Sequence, residues 1–229
     1  TSLERLAEQQ LERLPPALLP DEWLQRKDLP WSSRLNVDRQ LKRVADVVVA
    51  GCLLISSSPL LLLAALCIWL EDQGPVIYRQ QRTGWMGRPF NLYKLRTMRV
   101  ANPGEAAVWT MPRDGRITRI GQVLRRSRMD ELPQLLNVLR GEMSLIGPRP
   151  ERPEIDKELA KQIPHYRKRY WMPPGLSGWA QVCAPYAATI EESEHKLSYD
   201  LYYLRHFSTA LDLLILTKTI KTILKAKGR

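Results

Sequence analysis

Residues 47–70 form an uncharged run of 24 residues, against the roughly 20 that a membrane-spanning helix needs. Ser56-Ser57-Ser58-Pro59 interrupts it near the middle. Proline donates no backbone hydrogen bond and its ring opposes a straight helix, whereas serine hydroxyls satisfy carbonyls that a bend sets free. The half-segments 47–55 and 60–70 are about 14 and 16 Å long at 1.5 Å per residue. Each reaches roughly halfway across a hydrocarbon core of about 30 Å. Arg39, Lys42 and Arg43 precede the run, and the region after it is more basic still. Basic flanks favour the cytoplasmic face. The pattern fits a re-entrant helix–break–helix, and a proline-kinked spanning helix stays open as the alternative.

Elsewhere the apolar spacing is shorter-ranged. Leu3, Leu6, Leu11 and Leu14 predict one apolar face on a short helix that Pro15-Pro16 stops. After Gly74-Pro75, two strand-like stretches flank a turn at 84–87 and predict a β-hairpin. Lys94, Arg96 and Arg99 fall at or beyond the end of its second strand. A loop is expected over 103–115 and a short helix over 117–126. A second helix is expected over 130–140, with Leu132, Leu135, Leu136 and Leu139 on one face and Pro133 in its first turn. Gly141 is its stop signal. Gly147-Pro148-Arg149-Pro150 reads as a rigid turn, followed by a polar helix near 154–162 and a cation–aromatic cluster at 167–171. The stretch 211–224 is mostly apolar, and five basic residues with no acid follow Leu216. It predicts an interfacial helix whose lysines snorkel to anionic headgroups. The alternative is a terminal helix docked on the protein's own core.

The net charge of +11 points to an anionic partner: nucleic acid, anionic lipid or a phosphorylated substrate. Residues 1–41 hold six Lys/Arg against seven Asp/Glu, so the remainder carries the whole excess. Cys52, Cys67 and Cys183 form no CxxC pair and are expected as small buried hydrophobes, not as disulfides or zinc ligands. His165, His195 and His206 lack metal-like spacing. There is no Walker A pattern and no GxGxxG after a strand.

Arg125-Arg126-Ser127-Arg128-Met129-Asp130-Glu131 sets two carboxylates at a helix start behind three cations. The helix N-terminus and the arginines both favour ionised carboxylates and nearby anions. Acids in a first helical turn are also ordinary capping residues. Lys94, Arg96, Arg125 and Arg149, however, lie at structural punctuation points instead of along one solvated face. Two phosphates and a divalent ion require such donors plus a carboxylate. An ionised Asp can also attack phosphorus.

Seven segments then carry a resemblance, in order. They are Leu41 to Asp46, Pro75 to Gln80, Tyr93 to Met98, Met129 to Leu135, Gly141 to Pro150, Pro174 to Val182, and Lys196 to Tyr203. The chain resembles the bacterial sugar transferase family, the monotopic polyprenyl-phosphate phosphoglycosyl transferases, over about four-fifths of its length. The resemblance implies an α+β, mainly α fold. Its parts are a re-entrant membrane helix at 42–72, a small β-hairpin, a cytosolic catalytic domain at 73–210, and interfacial amphipathic helices including 211–229. Residues 1–41 are then a tail or the end of an upstream module of a large exopolysaccharide-type member.

It also implies a two-step reaction. Asp130 attacks the sugar-bearing phosphate of a UDP-sugar and expels UMP, and polyprenyl (undecaprenyl) phosphate takes up the phosphosugar. Glu131 is the acid/base or orienting partner. Lys94, Arg96, Arg125, Pro148, Arg149 and Pro150 form the implied substrate- and phosphate-binding set. Mg2+ is the implied cofactor, with Asp130 as ligand. The implied place is the cytoplasmic face of a bacterial inner membrane, with the lipid bilayer as partner, no nucleic acid, and a homodimer left open. One departure stands out. Many members follow Trp-Ala-Gln-Val with Asn-Gly-Arg, whereas this chain has Cys183-Ala184-Pro185. Arg167, Arg169 or another cation is the expected substitute for the missing arginine. A non-catalytic basic membrane tether is the rival reading, and the two acids amid cations argue against it. The uncharged run argues against a nucleic-acid binder.

Overall fold

The uncharged run lies within helix α2 (Val37–Asp72), and Pro59 is inside that helix. The computed structural model describes residues 3–20, 22–25, 29, 31, 37–99, 114–184 and 189–224. Without an N–H at Pro59 the carbonyl of Ile55 loses its helical donor. The Ser58 hydroxyl donates to that carbonyl at 2.8 Å, and Ser56 and Ser57 bond the carbonyls of Leu53 and Leu54 in the same way. Among the described residues α2 is the one helix long and apolar enough to cross a membrane. Ile55, Leu60, Leu62, Leu63 and Leu66 along its middle are exposed. Cys52 is exposed too, and Cys67 and Cys183 are half-buried, so the expectation of three buried cysteines does not hold. Much of the surface of α2 has no protein packed on it.

Both ends of α2 dock on the folded body. Near the start, Lys42 pairs with Asp212 at 2.7 Å. Arg43 donates to the carbonyls of Val138 and Leu139, and Asp46 accepts from the Leu145 N–H at 2.9 Å. At the far end Asp72 pairs with Arg96, and Glu71 accepts from the Arg119 N–H at 2.9 Å.

The hairpin forms as expected. Strands β1 (Ile77–Thr83) and β2 (Pro89–Leu95) pair antiparallel, with Ile77 opposite Leu95. Helix α3 (Arg119–Arg126) starts at Thr118, whose hydroxyl accepts from the Gly121 N–H. The single helix expected over 130–140 is divided. Residues Met129–Gln134 form a 3-10 turn, and only Leu135–Arg140 are α-helical (α4). Pro133 lacks the donor that would close an α-helical bond to residue 129. Gly141 ends α4 with φ +79°, as its position predicts. A short parallel pair follows, β3 (Ser144–Ile146) and β4 (Gly175–Ser177). Helix α5 (Pro153–Gln162) and a 3-10 segment (Tyr166–Trp171) lie between them. Helices α6 (Trp179–Cys183), α7 (Ile190–His206) and α8 (Thr209–Leu224) complete the described chain. Most of the predicted loop over 103–115 lies outside the described residues.

The N-terminal region packs differently from its pattern. In α1 (Leu3–Leu11) it is Ala7 that is buried, while Leu6 and Leu11 are exposed. Leu14 lies beyond the helix end and is fully buried beside Leu197 and Leu201 of α7. Leu24, Leu29 and Trp31 enter the cluster that holds Trp179 and Tyr203. Helix α8 takes an intermediate course. Ile215 is fully buried in that cluster, whereas Leu213, Leu214, Leu216 and Ile220 are exposed. Lys218 does not snorkel outward but lies over the Trp179 ring, 4.2 Å from its centroid. Lys225, Lys227 and Arg229 lie outside the described residues.

Candidate active site

Four elements converge on one acidic residue. The end of β2 carries Lys94, the 3-10 turn carries Asp130 and Glu131, α3 carries Arg125, and the turn after β3 carries Arg149. Asn137 of α4, the helix that continues the 3-10 turn, fastens it to β2. Its side chain is fully buried, accepts from the Tyr93 N–H at 3.2 Å and donates to the Asn91 carbonyl at 2.7 Å. The amide thereby pairs with β2 as a neighbouring strand would. A third bond, to the Glu142 carboxylate at 2.7 Å, completes it.

Glu131 is clamped. Its Oε1 accepts from Lys94 Nζ at 3.1 Å and from Arg149 Nη2 at 2.8 Å. Burial by itself would raise its pKa, but the charges and hydrogen bonds of Arg149 and Lys94 hold it well below the usual carboxylate range. Glu131 in turn raises the pKa of Arg149. For Lys94, burial outweighs the attraction of Glu131 and the pKa is lowered.

Asp130 is buried, yet among the described residues no hydrogen bond reaches its carboxylate. Burial and the adjacent Glu131 charge raise its pKa, against the opposing pull of Lys94, Arg125 and Arg128. This corrects the expectation that a helix start and three arginines would make Asp130 more acidic. The segment begins as a 3-10 turn from Arg128 in the left-handed conformation, without a side-chain cap. Loss of water outweighs the cations there.

The remaining expected residues divide. Arg125 donates through Nε to the Thr97 hydroxyl at 2.9 Å. Arg96 is buried, pairs with Asp72 and packs under Gly74, so its charge is engaged in fastening α2. The Pro148 carbonyl accepts from the Gly175 N–H and the Pro150 carbonyl from Arg82, so both prolines shape the turn that presents Arg149. Arg169 does not stand free to replace the missing arginine. It is buried, pairs with Asp200 at 2.8 Å, bonds the Tyr166 hydroxyl and donates to the Arg149 carbonyl at 2.9 Å. Of the departing stretch Cys183-Ala184-Pro185, Cys183 ends α6 and Ala184 caps it, whereas residues 185–188 lie outside the described residues.

Thr97, Asn137 and the Arg169–Asp200 pair escaped the sequence reading. Two left a trace. Asn137 interrupts Leu135-Leu136 and Val138-Leu139, and Asp200 lies among the core positions Leu197, Leu201 and Tyr203. A polar residue in a buried stripe requires partners.

Among the described residues no group of three His, Cys, Asp or Glu side chains is assembled to hold a metal. Beside the clamp, both Asp130 oxygens and Glu131 Oε2 accept no hydrogen bond among the described residues. That donor set fits Mg2+, which is commonly bound by one or two carboxylates plus substrate phosphates.

The bacterial sugar transferase family profile matches residues 37–226. This chain belongs to that family. The chain is 44% identical over 188 residues to a UDP-N-acetylgalactosamine-undecaprenyl-phosphate N-acetylgalactosaminephosphotransferase of Aeromonas hydrophila, covering 82% of this chain and 44% of the relative. It is 45% identical over 193 residues to a UDP-glucose:undecaprenyl-phosphate glucose-1-phosphate transferase of Caulobacter vibrioides, covering 83% and 72%. A relative of the same description from Escherichia coli K12 is 38% identical over 187 residues, covering 81% of this chain and 40% of that protein. The chain thus spans less than half the length of two of these three relatives.

Proposed function

We propose that the chain transfers a sugar-1-phosphate from a UDP-sugar to polyprenyl phosphate through a phosphosugar held on Asp130. The observation that carries this reading is the unequal treatment of two adjacent acids. Glu131 is ion-paired between Lys94 and Arg149, while Asp130 is buried beside the same cations with no hydrogen bond to its carboxylate among the described residues. A carboxylate unencumbered by hydrogen bonds retains its nucleophilic lone pairs. An Asp130 oxygen attacks the sugar-bearing phosphorus. The phosphoanhydride bond breaks, and UMP leaves with the electron pair. A polyprenyl phosphate oxygen then attacks the same phosphorus and releases the Asp130 carboxylate. Lys94, Arg125 and Arg149 offset the phosphate charge. Glu131, strongly acidic and doubly bonded, acts as the orienting partner that holds Lys94 and Arg149 in place. Asp130 would hold Mg2+ together with substrate phosphate, and the ion would supply further charge neutralisation.

The bare apolar middle of α2 supports insertion into the bilayer of a bacterial inner membrane, with the folded body on the cytoplasmic face. Attachment of both helix ends to that body supports re-entrance. A straight helix would separate Asp46 and Glu71 by about 38 Å at 1.5 Å per residue.

The test uses UDP-glucose and UDP-N-acetylgalactosamine, the donors in the relatives' names, with Mg2+. UMP release without lipid acceptor, and a phosphosugar adduct mapped to Asp130 by mass spectrometry, are expected. Addition of undecaprenyl phosphate should discharge the adduct. UMP release that strictly requires the acceptor, with no adduct at any time, would favour direct transfer instead.

A further inference from the structure

Arg125, beside the clamp, is held through its guanidinium Nε. Its Nε donates to Thr97 Oγ1 at 2.9 Å, and among the described residues Nη1 and Nη2 make no hydrogen bond. A guanidinium presents five N–H donors in a planar fork, and its two Nη groups match a phosphate bidentately. Anchoring Nε fixes the plane of the fork and leaves both Nη groups for an anion. The charge of Arg125 already acts on Asp130.

Thr97 is itself held firmly. It is buried, follows the strand that carries Lys94, and its carbonyl accepts from the Thr118 N–H at 3.1 Å. Helix α3 crosses so close that a Cβ at Gly121 would overlap the Thr97 carbonyl oxygen. Gly121 lies one turn before Arg125, so close approach at the glycine sets the helix that presents the arginine.

We infer that Thr97 is a positioning residue, which acts through Arg125 to orient a phosphate-binding fork toward the diphosphate of the nucleotide sugar. The inference rests on the proposed transfer reaction. Without the hydroxyl the guanidinium turns freely, and each encounter with substrate must restore its orientation.

The decisive experiment is a double-mutant cycle on the full chain in lipid nanodiscs, with Thr97→Val, Arg125→Lys and the double variant. The readouts are UMP release from UDP-glucose or UDP-N-acetylgalactosamine, the dissociation constant for UDP, and Tm. Thr97→Val removes the acceptor at nearly constant volume and should lower kcat/KM about tenfold and weaken UDP binding, since hydrogen bonds to charged groups are worth on the order of such factors. Thr97→Ser keeps the hydroxyl and should recover activity to within about twofold of wild type. Lysine has no Nε–H fork, so in the Arg125→Lys background Thr97→Val should change neither kcat/KM nor UDP affinity further. An equal loss in both backgrounds marks a merely structural role and overturns the inference, as does a Thr97→Val protein with wild-type kinetics. A wild type that turns over neither donor and does not bind UDP overturns the transfer reaction itself, and the positioning role with it. If Thr97→Val does not fold, Thr97→Ala takes its place in the cycle with the same criteria.

Discussion

Arg149 Nη2 lies 2.8 Å from Glu131 Oε1, joining a turn after β3 to the 3-10 turn that also carries Asp130. The contact links residues 18 apart in sequence. Because Lys94 shares the same oxygen, the clamp fixes β2, the acidic turn and the proline-flanked turn together.

Removing Arg149 should therefore cost stability in a pH-dependent way. Glu131 has a depressed pKa in the folded state, so its contribution is fully present above the unfolded carboxylate value and is lost as pH falls through the folded value. Arg149→Ala leaves a buried carboxylate with one cation, at about 3 kcal/mol for a broken buried pair. That corresponds to a Tm lower by about 6–12 °C for a chain of this size. The acid side of the Tm–pH profile should also shift upward, measured by scanning calorimetry from acid to neutral pH.

Asp130 carries the opposite sign. Its folded pKa is raised, so its ionisation disfavours the folded state once pH exceeds the folded value. Asp130→Asn should abolish UMP release and raise Tm at neutral pH. A lowered Tm would contradict the burial account. In the wild type the rate of UMP release should rise with pH, with a midpoint above the ordinary Asp value. Arg125→Gln should move that midpoint higher, because Arg125 lowers the pKa.

Asn137 offers a test of the scaffold alone. Asn137→Ala removes three side-chain hydrogen bonds at a fully buried position and leaves the Tyr93 N–H and Asn91 carbonyl unpaired. At about 1 kcal/mol per net bond the loss is about 3 kcal/mol. Denaturant titration should show the midpoint shift, and activity should fall because β2 carries Lys94.

The exposed face of α8 should add membrane affinity. Deleting the helix is a poor test, since Ile215 is in the core and Asp212 pairs with Lys42. Leu213→Ser with Leu216→Ser alters only exposed positions. Liposome flotation should show weaker binding of the double variant, with Tm within about 2 °C of wild type because surface substitutions cost little. Unchanged flotation would remove α8 from the membrane surface.

Topology is open to labelling. Single cysteines at Gln40 and Gln73, in a background without the native cysteines, should react from the same face of the membrane. Reaction from opposite faces would establish a spanning helix.

Elements that depend on neighbours along the chain were legible in one dimension. Turn residues and alternating strands fixed the β1–β2 hairpin, Gly141 fixed the end of α4, and 24 uncharged residues fixed the apolar helix, since these rest on backbone preferences and period. The sequence also named Lys94, Asp130, Glu131 and Arg149, because clustered charge at element ends is visible in one dimension. What each charge does emerges from the folded arrangement. Arg96 and Arg149 look alike as cations after strands, yet one pairs with Asp72 and the other with Glu131. Asp130 and Glu131 are neighbours at a predicted helix start, yet burial raises the pKa of one while two cations lower that of the other. Leu6 and Leu14 share an apolar stripe, yet only Leu14 meets α7. Ion pairing, desolvation and burial depend on atoms brought together from distant parts of the chain, and no local spacing encodes those distances.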